Sequence, residues 1–214
     1  MSRPRRLKRD LSRRTNTREA KPRVLVVCEG ERTEVEYLKG VIAFFGALPV
    51  EVETVGLGRD PLQVVQEAVD RRREARIDAR RAKDANLAFD EVWCLVDVDE
   101  HTRLDQALTL GRQEEIKVAV SNPCFELWLL YHFQDLASAI DRTVLSREKL
   151  SKYLPGYDKH LPPGFPYSDH SKARARALRA APEHRETCRK GPNPSTTVWL
   201  LIEAIRRVGG PKRR

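Results

Sequence analysis

The sequence lacks the patterns by which membrane-spanning, secreted and zinc-bound proteins are recognised. Its longest apolar stretch, Phe125 to Phe133, falls far below the about 18 residues that a membrane span needs. The amino terminus is basic with no apolar segment behind it, so it does not read as a secretion signal. Cysteine occurs only at positions 28, 94, 124 and 188, and no two stand at C-x-x-C spacing, which removes the commonest zinc and redox motifs. Cys28, Cys94 and Cys124 lie in apolar segments, as reduced, buried thiols of a cytoplasmic protein would. There is no internal repeat, and no low-complexity segment beyond the first residues.

What is present first is positive charge. The formal total is +9, and residues 1–23 alone carry ten Lys or Arg against Asp10 and Glu19, a local net of +8. Everything after Arg23 therefore sums to +1. Residues 1–22 show no strong hydrophobic periodicity and read as a disordered basic arm, for which nucleic acid is the expected partner. A solvated tail that aids solubility, or a tether to a membrane surface, would account for the same charge. The remainder is long enough for one sizeable α/β domain, expected as a catalytic core over 23–135 with a loop-rich, helical extension over 136–214 packing on it.

Elements alternate along the chain. The β-branched run after Arg23, VLVVC, suits a strand buried on both faces. A helix follows to about Gly46, with Thr33 as N-cap and Glu36 three residues on as a capping box. A second strand spans 50–55, and Asp60-Pro61-x-Gln63 opens a second helix. Strands at 91–97 and 116–120 flank a helix over 103–114, and the apolar CFELWLLYHF reads as a buried helix with Asn122 as its cap. Segment 154–170, carrying Pro155, Pro162, Pro163 and Pro166, is a loop of the length reserved for function or disorder. Helices over 171–187 and 195–208 close the chain. The fold class is α/β, a mostly parallel, Rossmann-like sheet flanked by helices with a C-terminal helical extension.

In such a sheet, ligands gather beyond the carboxyl ends of the strands. Glu29 follows the first strand there, and Asp97 and Asp99 end the third. Carboxylates crowded together stay ionised only if a cation screens them. Oxygen ligands without Cys or His favour Mg²⁺, or Mn²⁺, and such a metal activates water against a phosphodiester.

Four segments also carry a resemblance: CEGERTEVEYLKG, LVDVDEH, SNPCFELWLLYHF and NPSTTVWLLIEAI. In this order, across roughly residues 22–206, the chain resembles the RloB-like family, a Toprim-related group linked to bacterial restriction loci and phage resistance. The Toprim pattern, a Glu after the first strand and Asp-x-Asp after the third, is matched by Glu29, Asp97 and Asp99. The resemblance implies divalent-metal catalysis on DNA or RNA, tRNA included, in antiphage defence. A partner ATPase, another defence-system protein or a phage trigger belongs to that implication. The length leaves no room for the tyrosine domain of a topoisomerase or the template and zinc modules of a primase, so hydrolysis is favoured.

Neighbouring residues carry a sharp and a bland reading each. Glu34 is a metal ligand or general base, or simply an acid favoured in the first turn of a helix. Glu126, on an otherwise apolar helix, needs a metal or an ion-pair partner such as an arginine. His132 on the same helix reads as a satisfied core histidine. Asn122 and Thr196 mark Asx-Pro helix starts where a phosphate would find free N–H groups, although Asp60-Pro61 shows the same device. Lys159 and Lys172 flank or lie in the proline-rich loop among Tyr153, Tyr157, Phe165 and Tyr167, a mixture that suits a single strand or merely pins the loop. From a different class comes a non-catalytic module that binds nucleic acid or a nucleotide on the same sheet.

Overall fold

The computed structural model describes residues 21–55, 60–98 and 103–209. Asp99 and nearly all of the basic arm lie outside them.

Five strands form one sheet in the order β2-β1-β3-β4-β5: β1 (Val24–Cys28), β2 (Val50–Thr54), β3 (Glu91–Asp97), β4 (Lys117–Asn122) and β5 (Ser195–Thr196). The first four are parallel, and β5 adds antiparallel to the end of β4, pairing Thr196 with Ser121. The helices are α1 (Thr33–Phe45), α2 (Pro61–Ala82), α3 (Leu104–Gln113), α4 (Glu126–Tyr131), α5 (Arg142–Val144), α6 (His170–Ala180) and α7 (Val198–Gly209). This is the expected Rossmann-like α/β arrangement. Among the described residues, no helix is long and apolar enough to cross a membrane.

Strand β1 shows why the sheet needs cover on both sides. Val24, Val26 and Cys28 face a core built with α1, α4, α6 and α7, while Leu25 and Val27 face a second core built with α2 and α3. All five are fully buried. At about 1.5–3 kcal/mol for each large apolar side chain removed from water, this burial, rather than local propensity, holds the layers together.

Local signals met mixed outcomes. Asp60 caps α2, accepting from the N–H groups of Leu62 (3.0 Å) and Gln63 (3.2 Å), while the Gln63 side chain accepts from the Asp60 N–H (3.1 Å). Gly46, at φ 65°, closes α1 as expected. The capping box at Thr33 is not formed: Arg32 precedes the helix, and no side chain caps it. The Thr33 hydroxyl donates instead to the Lys159 carbonyl at 2.9 Å, and Glu36 accepts from His160 Nδ1 (2.7 Å) and the Leu161 N–H (2.8 Å). The proline-rich loop offers these partners, and both side chains strap it to α1.

Asn122 is likewise no helix cap. It ends β4 and its amide donates to the Gly191 carbonyl at 2.9 Å, while α4 begins at Glu126 after Phe125. Residues 195–196, expected to open the last helix, form β5, and α7 starts at Val198. They pair with the outer edge of β4, whose other edge is held by β3.

Candidate functional site

Because β1 and β3 are adjacent and parallel, the residues that follow them emerge at one edge. There a cavity of about 380 Å³ is lined by Glu29 and Asp97 from the ends of these strands, Glu34 from α1, Glu126 from α4, Arg142 from α5 and Lys159 from the loop. Gly30, Glu31, Arg32 and Thr33 complete the wall. Gly30 matters by what it omits: a Cβ there would collide with the Glu34 carboxylate, so the missing side chain lets that acid fold back over the strand end.

Glu126 is 3 % exposed and pairs with the Lys159 ammonium, with the Tyr157 hydroxyl at 3.2 Å. Burial pushes its carboxyl up, but the charge and hydrogen bond of Lys159 outweigh this and hold it below the usual range. Its partner is thus a lysine from the loop, not the arginine anticipated. Lys159 is locked at its other end too, since its carbonyl accepts from Thr33. Its backbone stands at φ 80°, a left-handed conformation that costs a non-glycine residue about 1–3 kcal/mol. Two hydroxyl protons, on Thr33 and Tyr157, serve three contacts here, because Thr33 Oγ1 and the Tyr157 oxygen are also 2.8 Å apart.

Glu34 behaves in the opposite way. Burial pushes its carboxyl up to about 7, the Glu126 and Glu29 charges push the same way, and its own backbone N–H and Lys159 only partly offset them. Two glutamates on one cavity therefore differ in protonation near neutral pH because only one has captured the ammonium. Cys28 and Cys124 beside them are buried thiols raised by the same desolvation, and all four cysteines are free.

The acids of this constellation stand in segments that the sequence motifs singled out, whereas Arg142 and Lys159 come from outside them. A family model described as RloB-like protein matches residues 24–205. The chain belongs to the RloB-like family. No curated protein and no solved structure matches it.

Of the residues proposed for the site, the RloB-like chain brings Glu29, Asp97, Glu34, Glu126 and Lys159 to one cavity. Asp99 lies outside the described residues. Among the described residues, no group of three His, Cys, Asp or Glu side chains stands ready to hold a metal ion. Asn122 and Thr196 do not line the cavity: Thr196 is buried against Ser121, with the hydroxyls 2.9 Å apart, and both residues stitch β5 to β4. Lys172 is exposed on α6 and pairs with Asp169 at 3.0 Å, away from the cavity lining. His132 is the satisfied core histidine, its ring nitrogens 3.0 Å from the Tyr37 hydroxyl and 3.1 Å from the Pro166 carbonyl. Burial lowers it to about 4, so it is neutral near pH 7. Arg142 and Arg32 were missed, since isolated arginines after a cap or in an acidic turn carry no spacing signal; Thr33 was mistaken for a cap.

Proposed function

We propose that this chain is a Mg²⁺-dependent nuclease of the Toprim type, hydrolysing phosphodiester bonds in DNA or RNA. One observation carries the reading: Glu29, Glu34, Asp97 and Glu126 converge on a single cavity at the carboxyl edge of a parallel sheet. The donor chemistry fits a hard divalent cation. The lining supplies carboxylate oxygens and no imidazole or thiol, and the Glu126 and Glu29 charges add to the burial that raises the Glu34 carboxyl to about 7. Glu29 and Asp97, with Asp99, would hold the ion, which polarises a phosphoryl oxygen and acidifies a bound water when present.

The chain's own groups divide the remaining work. Glu34, with its carboxyl near 7, is suited to exchange a proton with water or a leaving oxygen at physiological pH. Glu126 positions Lys159, whose ammonium, together with Arg142 and Arg32 at the cavity wall, matches the charge of a phosphate. The role in antiphage defence, and tRNA as a target, rest on the family relation alone.

The test is cleavage of labelled single-stranded DNA, duplex DNA and total tRNA with Mg²⁺ or Mn²⁺, comparing the wild type with Asp97→Ala. Metal-dependent cutting that the variant loses while keeping its fold supports the reading, and equal cutting by both removes it. The second reading, a binding module without a hydrolytic step, is favoured by the Glu126–Lys159 pair, which neutralises one acid without a metal. Binding of the same nucleic acids with no cleavage under any metal would select it.

A further inference from the structure

We infer that the end of the sheet opposite the cavity is a second contact surface, made for the phosphate backbone of a nucleic acid. Strands β1, β3 and β4 run parallel, so the ends that begin them lie together at the far pole, roughly 23 Å from the cavity edge along the seven-residue β3. A groove of about 480 Å³ opens there, with Trp93 and Lys117 on its floor and Arg185, Arg206 and Arg207 among its walls. Glu186 and Glu203 line it as well, but Glu203 is taken by Arg174 at 2.6 Å. Lys117 and Arg207 share the single carboxylate of Glu91, at 2.9 and 3.7 Å. Cations thus outnumber the acids available to them, and the three arginines are exposed.

The attachment of the basic arm adds to this. The Lys21 ammonium donates to the Gly209 carbonyl at 3.1 Å, at the end of α7 and next to Arg206 and Arg207 in sequence, and the Arg23 N–H donates to Asp90 at 2.7 Å. Lys21, the last lysine of the basic arm, is thus held at the pole that already carries surplus arginines. Like charges gathered at one pole repel unless a polyanion lies between them, and guanidinium groups match phosphate oxygens in pairs. A nucleic acid reaching both this pole and the cavity must span that distance, about seven base pairs of duplex on a straight path. The surface is independent of the catalytic reading, and only its role in holding a target for cleavage rests on it.

The experiment is fluorescence anisotropy on the full chain in EDTA, with a labelled duplex of about 30 base pairs and the matching single strand. Arg206→Glu/Arg207→Glu is expected to weaken binding by about tenfold or more and to make the salt dependence shallower by roughly 1.8 log units per log unit, two phosphate contacts' worth. Arg206→Lys/Arg207→Lys, which keeps the charge but not the paired donors, is expected to retain the wild-type salt slope and to lose less affinity than the charge reversal. Wild-type affinity and salt slope in Arg206→Glu/Arg207→Glu would overturn the inference. So would a wild type that binds neither nucleic acid, or that binds only phosphatidylserine vesicles, which would assign the pole to a membrane surface. Because nothing is cleaved in EDTA, failure here leaves the carboxylate reading standing, and loss of cleavage with normal binding strikes that reading alone.

Discussion

The two ends of this sheet handle charge differently. At the end where the parallel strands start, the charge lies in open, solvent-facing groups: ordinary pairs such as Arg23 with Glu51 at 2.7 Å and Lys117 with Glu91 at 2.9 Å, beside the exposed Arg185 and Arg206. Such pairs are worth little and strain nothing. At the end where the strands finish, five carboxylates line one cavity, one of them holds the Lys159 ammonium, and another is driven to about 7. Carboxylates crowded and buried together in one cavity are where function is sought, because a ligand or a reaction repays the cost of gathering them.

That contrast breaks most directly at Asp97. If the chain is the proposed nuclease, Asp97→Ala, which removes an acid from the crowded end, is expected to lower cleavage about a hundredfold with an unchanged circular dichroism spectrum. The next largest effect is at Glu126. Glu126→Gln leaves Lys159 without its counter-ion and is expected to cost about 1–3 kcal/mol in denaturant unfolding. This is below the figure for a fully buried pair, because the Lys159 side chain is 53 % exposed and water screens it.

Glu34 sharpens the contrast through pH. Its folded-state carboxyl, at about 7, lies above the ordinary 4.5, so the folded chain binds more protons than the unfolded one between those values. Its contribution to stability is full below about 4.5 and is lost as pH rises through 7. The wild type should therefore lose roughly 1–2 kcal/mol relative to Glu34→Gln over that window, the figure being reduced because the position is partly open to solvent. Added Mg²⁺ should flatten the slope if the cavity takes the ion. The smallest effect belongs to Lys172, whose exposed pair with Asp169 is of the ordinary kind. Lys172→Ala should change stability by less than about 0.5 kcal/mol and leave cleavage untouched.

These expectations trace back unevenly to the sequence. The strand at 91–97 matched residue for residue, and β1, β2 and the α2 cap were legible, because a β-branched run between charges and an Asp-Pro-x-Gln quartet each admit one conformation. That Glu29, Asp97 and Glu126 would need a shared explanation was legible for a related reason, since acids abutting apolar segments are not accounted for by solvent, and the three line one cavity. Thr33 and Asn122 misled because a capping signal states only that a side chain can reach its own backbone. It is silent about a better partner 126 or 69 residues away.

By itself, then, the sequence determined what short-range physics governs: alternating apolar strands and helices, hence a parallel sheet whose carboxyl edge collects Glu29 and Asp97. Only the tertiary structure decided which acid is neutralised. The loop that delivers Lys159 to Glu126 lies 33 residues further along the chain, and its path is set by Thr33 and Glu36 on a third segment. Pairings at such separations depend on how the layers pack, because a few ångströms in position decide which charge an ammonium reaches, and no local pattern of residues encodes that distance.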